Sequence, residues 1–128
     1  MHPFARVGID PVELAAQREL TRAFILADAK VIWPVRRPVT ADGAGGYKFG
    51  TAATQRPVWA RLVPQQDVQH ELQNADGQAM RPTHVLVAEA GAGVERWDTF
   101  TVDGTTYEVL GLSENRQYEL KAEVVRRG

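Results

Sequence analysis

Apolar and polar positions change their spacing once along this chain, near Asp28. Before that point "GIDPVELAAQRELTRAF" has the marks of a helix start. Asp10 stands at the N-cap, Pro11 takes the first helical position where a missing N–H costs nothing, and Glu13 falls in the positively polarised first turn. Val12, Ala15, Ala16 and Glu19 with Leu20 make only a thin stripe. The spacing predicts a short helix from about Pro11 to Arg22 that needs a partner to be stable.

After Asp28 the pattern becomes alternation or short apolar runs: "AKVIWPVRR", "RPVWARLVP", "PTHVLVAEA", "WDTFTV", "TTYEVLGL" and "QYELKAEVVRR". The last is the cleanest, with Tyr118, Leu120, Ala122 and Val124 on one face and Glu119, Lys121 and Glu123 on the other. Asp103-Gly104 between two β-rich runs predicts a hairpin, because a type I′ turn needs positive φ at both central positions. Pro34 lacks a ladder donor and predicts an edge or a bulge in the first strand. The fold class is mainly β: a small antiparallel β-barrel or sandwich of about six strands, with one short N-terminal helix and a long Gly-rich loop. Residues 1–27 then form an arm and helix, and residues 28–128 a single barrel domain from which loop 40–55 projects. Two segments interrupt the rhythm. One is that loop, "TADGAGGYKFGTAAT" and its flanks. The other is "QQDVQHELQNADGQAMRP", which reads as a helical turn plus loop or a polar edge strand, with Ala75-Asp76-Gly77 as a turn.

Composition changes this picture little. The 128 residues fit one domain, and a net charge of −1 predicts no bulk attraction to nucleic acid or to an anionic membrane. Its distribution is uneven: residues 1–64 carry nine Lys/Arg against five Asp/Glu, and residues 65–128 six against eleven. Two solvated faces that happen to differ, or complementary surfaces that stack copies, both fit this polarity. Without cysteine there is no disulfide framework or thiolate chemistry. No run approaches the roughly 20 apolar residues of a membrane span, and "MHPFARVGIDP" lacks the apolar stretch of a signal peptide. The expected location is the cytosol or something assembled there.

Candidate chemistry is thin. Glycines followed by a lysine after a strand suggest a phosphate loop, but Tyr47 precedes Lys48, Phe49 and Gly50 follow it, and the next element is β-rich. A dinucleotide fingerprint fails as well, since Lys48 stands where a third glycine belongs after Gly43 and Gly45. "HELQN" opens like a zinc-protease helix, yet Asn74 replaces the second histidine, and His2, His70 and His84 are scattered. His84, at a strand start, reads as a satisfied or exposed imidazole. Ser113 in "GLSEN" lacks the setting of a nucleophile elbow and reads as a turn residue. Asp98, beside Glu95 in "VERWD", reads as a backbone acceptor at a strand entry rather than an acid. Trp33, Trp59 and Trp97, with Tyr107 and Tyr118, fit core positions better than stacking platforms. Arg36, Arg37, Arg56 and Arg61 flank the glycine loop as a possible basic rim. No catalytic residue, cofactor or metal site is expected, and the chain reads as a non-enzyme.

The order "DAKVIWPVRRP", "TADGAGGYKFG", "RPVWARLVP", then "THVLV", "WDTFTVDGTTYEVLGL" and "YELKAEVVR" resembles the head-closure (stopper, head-to-tail joining) proteins of long-tailed bacteriophages. The resemblance spans Asp28 to Arg127 and is most specific in "DTFTVDGTTYEV" and the "YELKAEVV" strand. It implies a structural virion protein at the neck, made in the host cytoplasm, with no cofactor. Proteins of that family form a ring, commonly of six copies, beneath the portal and adaptor rings; they retain packaged double-stranded DNA and offer the tail a docking surface. It also implies that the loop from Thr40 to Gln55 enters the central channel, where Asp42, Gly43, Gly45, Gly46, Tyr47, Lys48, Phe49 and Gly50 would meet their copies and touch DNA non-specifically.

Several expectations attach to that reading. Glycines let backbone crowd near a symmetry axis, Tyr47 and Phe49 are apolar anchors, and a ring of Lys48 would touch phosphates weakly. The N-terminal segment is expected to contact the adaptor ring or the next copy. A tail terminator or another tail-tube component is the alternative within the class. A single-stranded nucleic-acid-binding barrel, stacking bases on Trp33 and Trp59 beside the arginines, is the alternative of another class.

Overall fold

The computed structural model describes residues 10–127. Helix α1 (Pro11–Leu26) begins as expected, with the Asp10 carboxylate accepting from the Val12 N–H at 2.8 Å. It runs one turn beyond Arg22, because "AFIL" carries the residue that anchors it. Thr21 and Ile25 are buried at 6% and 2% exposure, with Leu14 and Gln17 half-buried on the same side. The stripe of Val12, Ala15, Ala16 and Leu20 is instead exposed, Val12 at 80% and Leu20 at 65%. Helix residues at i, i+3, i+7 and i+11 share a face, so Leu14, Gln17, Thr21 and Ile25 form a narrower stripe containing two polar residues, which a hydrophobicity pattern hides.

The chain then enters β1 (Lys30–Ile32) and β2 (Val35–Arg36), which are two halves of one predicted strand. The break falls at the fully buried Pro34, and the halves pair with different partners. Next come β3 (Val39–Ala41), β4 (Tyr47–Phe49), β5 (Ala53–Thr54) and β6 (Val58–Pro64). The polar segment folds as a small separate hairpin, β7 (Leu72–Gln73) and β8 (Ala79–Met80), rather than as a helical turn or an edge of the main sheet; Asn74 closes it by accepting from the N–H groups of Asp76 and Gln78. The last four strands are β9 (His84–Ala88), β10 (Thr99–Val102), β11 (Thr105–Asn115) and β12 (Leu120–Arg126).

Eight strands make one antiparallel sheet in the order β1-β6-β9-β12-β11-β10-β2-β5. Because only Trp33 and Pro34 separate β1 from β2, the sheet must curl until its two sides approach, as a small barrel does. The Lys30–Asp103 ion pair, 3.4 Å, links β1 to the turn after β10 across the remaining gap. Asp103 and Gly104 form the expected turn, with φ of 50° and 80°, and Val102 pairs Thr105.

Inside the curl lie Ile32, Val58, Ala60, Leu86, Ala88, Phe100, Tyr107, Val109, Leu120, Ala122 and Val124. These are alternate residues of β6, β9, β11 and β12, as the period-two pattern requires, joined by Ile32 of β1 and Phe100 of β10. β11 is longer than predicted: it runs through Ser113, which is a strand residue donating to the Lys121 carbonyl rather than a turn residue. Register shifts beside Leu110 and Ser113 let β11 bend, and the first lets Val109 and Leu110 both be buried. α1 lies on the outer face of β6 and β9, where Arg61 stacks over the Phe24 ring at 4.2 Å and donates to the Phe24 carbonyl.

Candidate functional site

The segment from Thr40 to Gln55 contains strands at 40–41, 47–49 and 53–54. β3 and β4 pair with each other alone, in register Val39↔Phe49, Thr40↔Lys48 and Ala41↔Tyr47, while β5 joins the main sheet beside β2. The result is a separate hairpin standing off the barrel, closed at its base by the Gly50 N–H donating to the Pro38 carbonyl at 2.8 Å. Its tip is built by Asp42. The carboxylate accepts from the Ala44 and Gly46 N–H groups at 2.7 and 3.0 Å, and these two bonds hold it below the usual carboxylate range. Gly45 has φ +89°, and a Cβ on Gly46 would lie 2.7 Å from Asp42 Oδ2. The glycines are therefore explained within one chain, by the turn and by room for the capping carboxylate.

Side chains on the hairpin alternate. Tyr47 and Phe49 turn towards the barrel and meet the Trp97 ring edge-on, with centroids 5.3 and 5.7 Å away, while Lys48 is exposed and makes no ion pair among the described residues. Cations cover the outer ends of this stack: Arg37 lies 4.4 Å from the Phe49 centroid and Arg96 4.4 Å from that of Trp97. Trp97 is fixed in turn. Its indole N–H donates to the Gln73 carbonyl at 3.1 Å, its backbone N–H donates to Val109, and its φ is +72°, a costly value for a bulky residue.

Beside Trp97, Asp98 is fully buried and receives Arg36 in bidentate fashion, Nε to Oδ1 at 2.9 Å and Nη2 to Oδ2 at 2.7 Å. Asp98 also accepts from the Glu95 N–H, the backbone-acceptor role expected of it, and Glu95 adds a 3.0 Å ion pair to Arg36. The side-chain bond to Asp98, outweighing burial, raises the Arg36 pKa above its already high ordinary value.

The four arginines of the expected basic rim are thus not one surface. Arg36 is consumed by Asp98 and Glu95, Arg37 by Phe49 and Arg61 by Phe24, while Arg56 stands exposed ahead of β6. The crevice among Arg36, Arg37, Phe49, Arg96, Trp97 and Asp98 has a volume of about 10 Å³, no more than a water requires. The tryptophans also differ from expectation. Tyr107 is core, but Trp33 and Trp59 are 55% and 57% exposed, because Trp59 in β6 and Trp33 in the break after β1 fall on the outer phase, opposite in parity to Ile32, Val58 and Ala60. Val31 pairs Trp59 across β1 and β6 and continues this outer apolar patch.

The chain matches no protein-family model and no curated protein. Function therefore has to be read from geometry. Among the described residues no three His, Asp or Glu side chains are grouped as metal ligands, and no helix is long and apolar enough to cross a membrane. His70 pairs with Glu123 at 2.7 Å and His84 sits against Tyr107 and Thr83, on separate parts of the surface. His2 and the rest of the N-terminal segment expected to contact a neighbour lie outside the described residues. The Trp97 clamp was missed from sequence. Its only sign was the aromatic spacing of Tyr47 and Phe49, which β alternation places on one face.

Proposed function

We propose that the protein is a structural component of the phage neck, a head-closure protein that forms a ring, retains packaged DNA and offers a tail docking surface. The observation that carries this reading is the β3–β4 hairpin, a separate two-stranded element on a small β-barrel with an exposed tip at residues 42–45 and one exposed lysine. Such a projection serves no purpose in the barrel's own core, and loops of this length in compact domains are usually functional. In a ring the tips would converge on the channel, each bringing Lys48 towards phosphate, where contacts are non-specific and salt-sensitive. Arg37 and Arg56 are the exposed members of the basic rim and would add to them. The portal–adaptor ring on one side and tail terminator or tail-tube proteins on the other are the proposed partners. In phage assembly with the Asp42–Gly50 segment deleted, capsids fill but lose their DNA; undiminished retention would sink the gating role. Copurification with tail tube instead of portal and adaptor would make the protein a tail component.

The outward Trp33 and Trp59 favour a second reading, a barrel that stacks single-stranded nucleic acid. Binding by the isolated protein that quenches tryptophan emission at low salt and fades with added salt would support it. No quenching at low salt removes it and leaves the two rings as a protein contact.

A further inference from the structure

Trp97 touches two hairpins that stand outside the main sheet, β3–β4 with its ring and β7–β8 with its N–H. An indole carries a single donor. Trp97 gives it to the Gln73 carbonyl at 3.1 Å, and Arg96 Nη2 reaches the same oxygen at 3.4 Å. Register aims that oxygen at them. The Asn74 N–H donates to the Gln78 carbonyl across the hairpin, so Leu72 and Asn74 direct their backbone groups to β8 while Gln73, between them, turns its own outward. The position of the carbonyl is therefore set by β7–β8, whose turn is held on the barrel by the Ala75 N–H donating to the buried Glu108 carboxylate at 2.8 Å. The opposite side of Trp97 depends on this bond. Tyr47 and Phe49 meet the ring edge-on, an arrangement that a rotated ring loses. The backbone does not hold the ring in place, because a φ of +72° favours relaxation of the turn.

We propose that β7–β8 is a latch for β3–β4: Trp97 couples the two hairpins, so that lifting β7–β8 from the barrel frees β3–β4, and freeing β3–β4 loosens β7–β8. Each hairpin has two states, docked against the Trp97 turn or standing free, since neither shares a ladder with the eight-stranded sheet. Both bias the orientation of one ring, so the coupling is reciprocal. The exposed turn at residues 76–78 is the end by which a partner would lift the latch. The coupling belongs to the fold and is independent of any role at a phage neck.

Gly77, in the β7–β8 turn, has φ +82° and nothing within 4 Å of an added Cβ. Gly77→Val therefore strains this turn without pressing on any other part of the molecule. In the full-length protein, tryptic cleavage after Lys48, followed by mass spectrometry, is expected to rise about 5-fold. Gly104→Val is the control. Its φ is +80° and its surroundings are as open, but it lies in the β10–β11 turn, and it is expected to leave the Lys48 rate within about twofold of the parent. A double-mutant cycle then tests the route. Trp97→Phe keeps an aromatic ring for Tyr47 and Phe49 but offers Gln73 no N–H, and in that background Gly77→Val is expected to change the rate by less than about twofold. In the reverse direction, Phe49→Ala is expected to speed amide hydrogen exchange at Asn74 and Ala75 by a factor comparable to the first. Unchanged cleavage in Gly77→Val, the same acceleration by Gly104→Val, the same acceleration in both Trp97 backgrounds, or unchanged exchange in Phe49→Ala would each overturn the proposal.

Discussion

Arg36 and Asp98, 62 residues apart, are joined by two parallel hydrogen bonds, and the carboxylate that receives them is wholly buried. The pair ties β2, at one side of the curl, to the segment entering β10. Arg36 also donates to the Gly93 carbonyl, so a single guanidinium organises the whole 93–98 turn. Bidentate geometry of this kind suits arginine and not lysine.

The first prediction is that Arg36→Ala destabilises the fold by about 3–5 kcal/mol, because it leaves a buried, unpaired carboxylate. Arg36→Met with Asp98→Leu should cost much less, since neither charge then needs a partner. Urea unfolding of the two variants measures the difference; equal losses would show that packing rather than charge dominates the site.

A second prediction concerns the hairpin clip. Edge-on aromatic contacts contribute about 0.5–1.5 kcal/mol each beyond buried area. Phe49→Ala should therefore open the hairpin several-fold more often and accelerate tryptic cleavage after Lys48, the exposed lysine of β4, with the global unfolding midpoint little changed. Cleavage at the wild-type rate would mean that the Trp97 contacts do not hold the hairpin down.

Trp97 itself gives a third. At φ +72° an L-residue carries roughly 1 kcal/mol of backbone strain that glycine does not. Both Trp97→Ala and Trp97→Gly lose the ring, yet the glycine variant should be the more stable by chemical denaturation, the reverse of the order expected in a regular strand. An alanine variant as stable as the glycine variant would remove strain from the account of this site.

These sites also show where the sequence could be read and where it could not. Alternation located β6, β9 and β12 and, in β12, the inward Leu120, Ala122 and Val124, since a half-buried strand writes its faces into its pattern. Asp103-Gly104 fixed a turn because few residue pairs accept two positive φ values. By contrast, Arg36 and Asp98 look like ordinary surface charges until the curl brings them together, and a pairing over 62 residues leaves no local mark. Trp33 and Trp59 were placed in the core by residue type, although parity with Ile32 and Val58 already put them outside. The glycines of residues 43–46 suggested a projection whose backbone crowds an axis, and the reason for Gly46 within one chain, room for the Asp42 carboxylate, needed coordinates.

The last prediction follows from His84, the first residue of β9. Its ring stands edge-on to Tyr107 at 5.2 Å, its Nδ1 lies 2.9 Å from Thr83 Oγ1, and the nearby charge is Arg126. Burial, and then repulsion from Arg126, push its pKa below the ordinary value near 6.5. The unfolded chain therefore takes up this proton at a higher pH than the folded one. Stability must decline as pH falls from about 6.5 towards the folded value, and below that the cost is fully present; above about 7 the imidazole is neutral in both states and contributes nothing. His84→Gln should flatten this part of the pH profile when unfolding midpoints are compared between pH 7 and pH 5. A slope identical to that of the parent would assign the dependence to other groups and leave His84 unshifted.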